Sequence, residues 1–247
     1  MVTFMYSVLL AETMKDSEWH LSQNADARKI ELIIEEYLLE NPEIIEKALQ
    51  KLQTKRKLEK ENRERKLISA SKYDLYYHPG SPFIGRIDAR TTIVEFFDYR
   101  CAYCKKVYPT IDSLLKQDSN IRIVLKEFPI LGPESEYASR FALSAYKINP
   151  STYNALHNSF MRFTTSLDRT AINKIALGLG LDVERIVEGI NDPDIAATLK
   201  DNYQLAQTLG IRGTPAFVIG QKLIPGAISL KQFKELVEEA KKSCVDC

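Results

Sequence analysis

The four cysteines of this chain fall in two pairs, Cys101-Ala102-Tyr103-Cys104 and Cys244-Val245-Asp246-Cys247, each with the i, i+3 spacing at which two thiols can close a small ring. A four-thiolate zinc site of the ribbon type needs its pairs about 15–20 residues apart, whereas roughly 140 residues separate these two. The three histidines, His20, His78 and His157, are scattered, so material for a His-rich centre is missing and no metal is expected. A structural cysteine usually sits singly in an apolar run. Thiol–disulfide exchange is therefore the expected chemistry of the first pair.

Exchange requires one thiol held as thiolate and a second, shielded one within reach. Thr91 to Phe97 reads as a continuous apolar strand broken only by Glu95. Asp98-Tyr99-Arg100 turns the chain, and Val107, Ile111, Leu114 and Leu115 repeat at helical spacing between Cys101 and Lys116. Cys101 thus opens a helix directly after a buried strand, where free amides and the helix dipole favour a thiolate. Cys104 lies one turn deeper, placed to resolve a mixed disulfide on Cys101. Glu95 is expected to be buried with a raised pKa and a partner, and to take the Cys104 proton as that thiol attacks; the competing reading is a strand-end carboxylate facing water. Thr214-Pro215 stands at the entrance of a second apolar strand ending at Ile219, where a missing N–H is tolerated and a cis bond is accessible.

The elements that must position these groups are spread over 247 residues, room for one ordinary domain with an appendage or one large domain. With 45% hydrophobic and 27% charged residues the chain can bury a core. Lys plus Arg number 34 against 33 for Asp plus Glu, a net charge of +1, which provides no global field for nucleic acid and argues against that class of partner. The apolar stretch from Met1 to Ala11 falls short of the about 20 residues a bilayer span needs. A clipped or shortened secretory signal is the alternative reading, but the stretch lacks a basic leader and a small-x-small cleavage site, so it does not by itself establish export. Glu12 to Asn24 is a polar connector with Trp19 as a local packing residue.

From Ala25 to Lys66 the composition turns to Glu, Lys, Leu, Ile, Arg and Gln, predicting two helices split at Asn41-Pro42, with Asn41 capping the second and Pro42 in its first turn. Ile30, Ile33, Ile34, Tyr37 and Leu38 stripe the first helix; Ile44, Ile45, Ala48, Leu49 and Leu52 stripe the second. Such helices pack on their own domain or on copies of themselves, and the second outcome is favoured. Beyond Leu52 the stripe fades into a charged spacer ending near Ser69-Ala70-Ser71; its acidic residues are interleaved with the basic ones and no aromatics accompany it, which disfavours a nucleic-acid patch. Asp74 to His78 reads as a short strand, Ile121 to Glu127 as a longer one. Helical patterns follow at Tyr137 to Tyr146, Tyr153 to Phe163, Thr170 to Leu177, Val183 to Ile190 and Asp194 to Thr208.

A strand, Cys101-Ala102-Tyr103-Cys104 at a helix start, Lys126, Thr214-Pro215 and a C-terminal helix together resemble the DsbA family of thioredoxin-fold thiol oxidoreductases, over about residues 69 to 247. The resemblance implies an α/β thioredoxin fold with an inserted helical subdomain at about 133–210, preceded by an oligomerisation arm and charged linker (25–68) and the N-terminal segment (1–24). It places the nucleophile on Cys101, the resolving thiol on Cys104, the buried acid on Glu95 and the cis-proline with its preceding residue on Pro215 and Thr214. Lys126 is matched, more loosely, to a basic partner of that acid. No cofactor is implied.

Strongly oxidising members carry Pro-His between the cysteines and Val before the cis-proline, where this chain has Ala102-Tyr103 and Thr214. Tyr103 brings no positive charge to the thiolate, so a less acidic nucleophile and a less oxidising disulfide are expected. Thr214 is similar to the disulfide isomerases of the DsbC and DsbG type, and the helical arm to trimeric ScsC-type and Com1-like relatives. Together these imply a disulfide isomerase or reductase, a homotrimer through residues 25–66, acting on unfolded or misoxidised client proteins in the periplasm or bacterial cell envelope and reset by a membrane redox partner. The alternatives are a dithiol oxidase and, from another class, a non-catalytic oligomeric scaffold. Cys244 and Cys247 fall outside the family pattern; a local disulfide is favoured there over a relay or an idle pair.

Overall fold

The structure, a computed structural model, describes residues 27–243. The N-terminal segment expected at 1–24, with Trp19 and His20, and the Cys244–Cys247 pair lie outside the described residues. The described chain divides into two units that part between Lys60 and Glu61.

In the first unit, residues 27–40 form helix α1 and Glu43–Ala70 forms α2, whose residues up to Lys60 belong to this unit. The break at Asn41-Pro42 is where the sequence places it, but the capping differs. Asn41 Nδ2 donates to the Tyr37 carbonyl at 2.9 Å, so the side chain closes the end of α1 instead of opening α2. Ile30, Ile33, Ile34, Tyr37, Leu49 and Leu52 are all exposed in the protomer. The charged run after Leu52 remains helical to Ala70.

The second unit begins within α2. Ile68 is buried in one apolar cluster with Leu75 and Tyr76, which moves the boundary expected at 68/69 back into the helix. The strand expected at Asp74 to His78 is instead the short helix α3 (Lys72–Tyr76). Leu75 N donates to the Ser71 carbonyl and Tyr77 N to that of Tyr73, a helical turn that buries Leu75 and Tyr76 side by side, as alternation in a strand would not.

Five strands follow in the order β1-β3-β2-β4-β5: β1 (Phe83–Gly85), β2 (Thr91–Phe97), β3 (Ile121–Glu127), β4 (Ala216–Ile219) and β5 (Lys222–Pro225). β2 and β3 are parallel and the other pairs antiparallel. Both long strands coincide with the apolar runs of the sequence, and every residue of β2 is buried, as expected of a strand covered on both faces. The edge strands β1 and β5 are short and half-exposed and carry no clear sequence signal. Gly220 closes the β4–β5 hairpin at φ +58°, the positive φ that a two-residue II′ turn asks of its first position, and a Cβ there would stand 3.0 Å from Ala240 Cβ.

Between β2 and β3 runs α4 (Ala102–Gln117), and between β3 and β4 come α5 (Pro133–Ile148), α6 (Pro150–Arg162), α7 (Arg169–Gly178), α8 (Val183–Gly189) and α9 (Pro193–Thr208). Their starts follow local chemistry. Asn149, Asp168, Asp182 and Asp192 each accept a backbone N–H of the first turn, and Pro150 and Pro193 occupy first-turn positions where no N–H is required. Helix α10 (Leu230–Ser243) ends the described chain.

The sheet separates two apolar clusters. Ile93, Phe97, Ile123, Leu125 and Phe217 lie on one face with α4, α10 and helices α5 to α8. Val94, Phe96, Val124 and Val218 lie on the other with the end of α2, α3 and α9.

Candidate active site

β2 delivers the chain to a turn fixed by Asp98, which is wholly buried and fully engaged. Asp98 Oδ1 accepts the Arg100 N–H and the Ser135 hydroxyl, both at 2.8 Å, and Oδ2 accepts the N–H groups of Ile130 and Leu131 at 2.9 and 3.0 Å. Cys101 N donates to the Asp98 carbonyl at 3.0 Å, so the residue that opens α4 is anchored to this turn.

Cys101 is the N-cap of α4, and its Sγ accepts the Cys104 N–H at 3.4 Å. As a thiol it donates to the Thr214 carbonyl at 3.2 Å. The peptide bond between Thr214 and Pro215 is cis. A hydrogen bond from the Cys104 thiol, then one from the Thr214 side chain and the amides of Cys104 and Tyr103, outweigh burial and bring the Cys101 thiol down to about 5. Cys104, with no exposed surface, is pushed the opposite way, far above a normal thiol, chiefly by burial. One thiol is thus prepared as nucleophile and the other held silent until its proton is removed.

Glu95 is 1% exposed, and its Oε1 finds no hydrogen-bond partner. Burial first, then the charges of Cys101 and Glu127, push its carboxyl up to about 8. The raised pKa agrees with the sequence reading; the hydrogen-bonding partner expected for it does not materialise. Glu95 lines a cavity of about 210 Å3 together with Asp112, Lys116, Asn154, His157 and Asn158.

Lys126 is not that partner. It pairs in register with Phe96, whereas Glu95 pairs with Leu125, so Lys126 projects to the opposite face of the sheet. There its Nζ donates to the Asp74 carbonyl and, at 2.7 Å, to Ser81 Oγ. Burial brings its ammonium down to about 7, against the pull of Asp74 and Asp201.

A second buried cluster, with no counterpart among the sequence expectations, surrounds Glu127, the last residue of β3. The carboxylate is fully buried and accepts hydroxyls of Tyr153 at 2.7 Å, Tyr99 at 3.0 Å and Ser139 at 2.7 Å. Tyr99 OH also lies 3.1 Å from His157 Nδ1. His157, stacked on Tyr153 and edge-on to Phe97, is brought down to about 3 by burial and is neutral. An acid closing the apolar run of β3 was the available signal, the same one that marks Glu95 in β2.

Beside the cysteines an open groove of about 530 Å3 is lined by Tyr103, Lys106, Thr110, Thr214, Pro215 and Ile228. It is apolar over most of its length and passes the residues flanking Cys101, so an extended segment of another protein can bring a disulfide to the thiolate. Among the described residues there is no group of three or more metal-ligating side chains, and no helix is long and apolar enough to cross a membrane.

Residues 92–238 match the family described as the DSBA-like thioredoxin domain, and residues 26–59 the copper resistance protein ScsC N-terminal domain. A thioredoxin-like oxidoreductase from Silicibacter pomeroyi superposes with a TM-score of 0.67 at 35% identity, over 70% of this chain and 99% of that one. Proteus mirabilis ScsC in a transitional conformation gives 0.67 at 32% identity, over 89% of this chain and 99% of the other. The thiol:disulfide interchange protein DsbA of Bordetella pertussis is 24% identical over 184 residues, 68% of this chain and 85% of that protein.

Proposed function

The chain belongs to the DSBA-like thioredoxin-domain family and is a thiol:disulfide oxidoreductase, and from that premise we propose that it is a homo-oligomeric disulfide isomerase or reductase for exported proteins. The observation that carries the chemistry is the asymmetry of the pair: Cys101 at a helix start with its thiol near 5, Cys104 buried and silent behind it.

The Cys101 thiolate attacks one sulfur of a client disulfide, and the client's other sulfur leaves as a thiolate. A client thiolate then attacks the client sulfur of the mixed disulfide, forming a new client disulfide and returning Cys101; this is isomerisation. Where rearrangement stalls, Glu95 takes the proton of Cys104 and the Cys104 sulfur attacks Cys101 Sγ. The client then leaves reduced and the Cys101–Cys104 disulfide remains, to be reduced by a dithiol partner at the membrane. Thr214 and Pro215 flank Cys101 and present backbone to the client segment.

Assembly is supported by the first unit. Its apolar stripe is exposed in the protomer, and residues 26–59 resemble the ScsC N-terminal domain. A trimer through residues 25–66 would turn several Cys101 thiolates toward one client and raise their effective concentration. An envelope compartment is supported by the chemistry, which needs an oxidising environment, and by likeness to a periplasmic thioredoxin-like protein of Salmonella enterica.

A second reading, a dithiol oxidase, draws on the same Cys101 value. About 5 lies between about 7 for thioredoxin and about 3.5 for DsbA, and a stabilised thiolate favours giving the disulfide away. Light scattering and scrambled-ribonuclease reactivation on the full chain and on a chain beginning at Glu61 separate the two. Trimer mass and isomerase activity, both lost on truncation, are expected. A full-length monomer that instead oxidises reduced ribonuclease contradicts the isomerase and leaves the oxidase.

A further inference from the structure

Glu127 collects three hydroxyl donors from three segments: Tyr99 from the turn into Cys101, Ser139 from α5 and Tyr153 from α6. Its backbone carbonyl accepts Asn202 Nδ2 from α9 at 3.0 Å. Glu95, on the same face of the sheet, has no donor at Oε1. The register places them one diagonal step apart, Glu95 opposite Leu125 and Glu127 opposite Phe97, roughly 8 Å between Cα atoms from strand spacing and rise. Two carboxyls in one water-poor face, one surrounded by hydroxyls and one without a partner, cannot ionise independently.

We propose that Glu127 is a positioning residue for thiol exchange: with three hydroxyl donors it gives up its proton before Glu95 does, and its charge then makes Glu95 the stronger base toward Cys104. The proposal rests on the reading above that Glu95 takes the Cys104 proton. Both carboxyls are pushed up to about 8 by burial; the three hydroxyl bonds pull Glu127 back down, while the charge of Glu127 is among the causes that raise Glu95. The other groups facing the pair are Asp98, Tyr99, Tyr153 and His157 around Glu127, and Cys101, Cys104, Tyr108 and His157 around Glu95, with Asp112 and Lys116 on the cavity wall. Tyr99 and Tyr153 are held well above 10 and remain donors, and His157 is neutral, so between pH 6 and 9 the carboxyl pair dominates the titration of this cluster. Lys126 is on the far face.

Infrared titration of the full-length reduced protein from pH 5 to 10 tests the coupling, the Glu95 band being the protonated-carboxyl signal that Glu95→Gln removes. In Glu127→Gln, which keeps the shape, removes the charge and exchanges one acceptor oxygen for an NH2 donor, the Glu95 midpoint is expected to fall by about one pH unit. Tyr153→Phe, which removes one donor and leaves the carboxyl, is expected to move it the same way by less. A midpoint that stays put in both variants overturns the proposal and leaves Glu127 as a tie between helices. Rapid-quench measurement of glutathione release from a Cys101–glutathione mixed disulfide reads the base step separately. A release rate unchanged in Glu95→Gln overturns the base reading and, with it, the functional half of this inference, whether or not the band moves.

Discussion

The two faces of the central sheet are built from the same strands, and one residue of register separates their chemistry. On one face Glu95 and Glu127 stand with Cys101, Cys104 and a set of tyrosine hydroxyls. On the other, Phe96 and Lys126 stand among apolar side chains, and the buried Lys126 ammonium ties α3 to the segment before β1 through Asp74 and Ser81. Adjacent residues such as Lys126 and Glu127 therefore lie on opposite faces, one tying α3 to the segment before β1 and the other on the side of the sheet that carries the thiols. Parity along a strand, and not distance along the chain, decides which charged groups can act together.

That contrast is broken most severely at the thiols. Cys101→Ser is expected to abolish exchange activity in insulin reduction. Glu95→Gln is expected to slow Cys104-dependent release at pH 7 by about 100-fold, the scale of a lost proton acceptor. Lys126→Met, on the far face, is expected to leave both rates within twofold; a loss comparable to that of Glu95→Gln would mean the faces are not separate.

Stability against pH sharpens the comparison, because the two faces carry opposite signs. Glu95 holds its proton up to about 8 when folded and to about 4.5 when unfolded. Its contribution is full below the unfolded value and is lost as pH rises through that window. Lys126 is shifted from 10.5 down to about 7, so its penalty is full below 7 and is relieved as pH climbs toward 10.5. Denaturant unfolding of Glu95→Gln should therefore show a growing advantage over the wild type from pH 4.5 to 8. The Lys126→Met difference should instead drift against the variant from pH 7 to 10.5. Parallel drifts would contradict the assignment of either group.

The smallest effect is expected at Ser139. Ser139→Ala removes one of three donors to Glu127 and should cost about 1 kcal/mol in urea unfolding at pH 9, less at pH 5 where the carboxyl is protonated. An equal cost at both values would mean the hydroxyl does not respond to the charge.

Much of this was legible in the sequence for identifiable reasons. β2 and β3 read as apolar runs because both faces are covered, and the helices after β3 show in the helical spacing of their apolar residues, Tyr137 to Tyr146 for α5 and Tyr153 to Phe163 for α6 among them. Cys101 at a helix start and Glu95 inside a strand follow from the same reasoning. The family resemblance matches Lys126 to the partner of Glu95 on its place in the chain, which does not say to which face of the sheet a strand residue points; that needs the β2–β3 register. The cluster at Glu127 is not legible in the sequence, since its partners Tyr99, Ser139 and Tyr153 come from three separate segments. The five residues of α3 are too few to show a helical period, so the sequence there reads equally as a strand. β1 and β5 are edge strands of three and four residues with no apolar run to mark them.

One face of the sheet prepares Cys101 as an acidic nucleophile while keeping Cys104 silent. Alkylation of the reduced protein by iodoacetamide across pH 4 to 9, with each site read by mass spectrometry, measures it directly. Half-maximal labelling of Cys101 is expected near pH 5, with essentially none of Cys104 throughout. A Cys101 midpoint near 9, or equal labelling of both thiols, would contradict it.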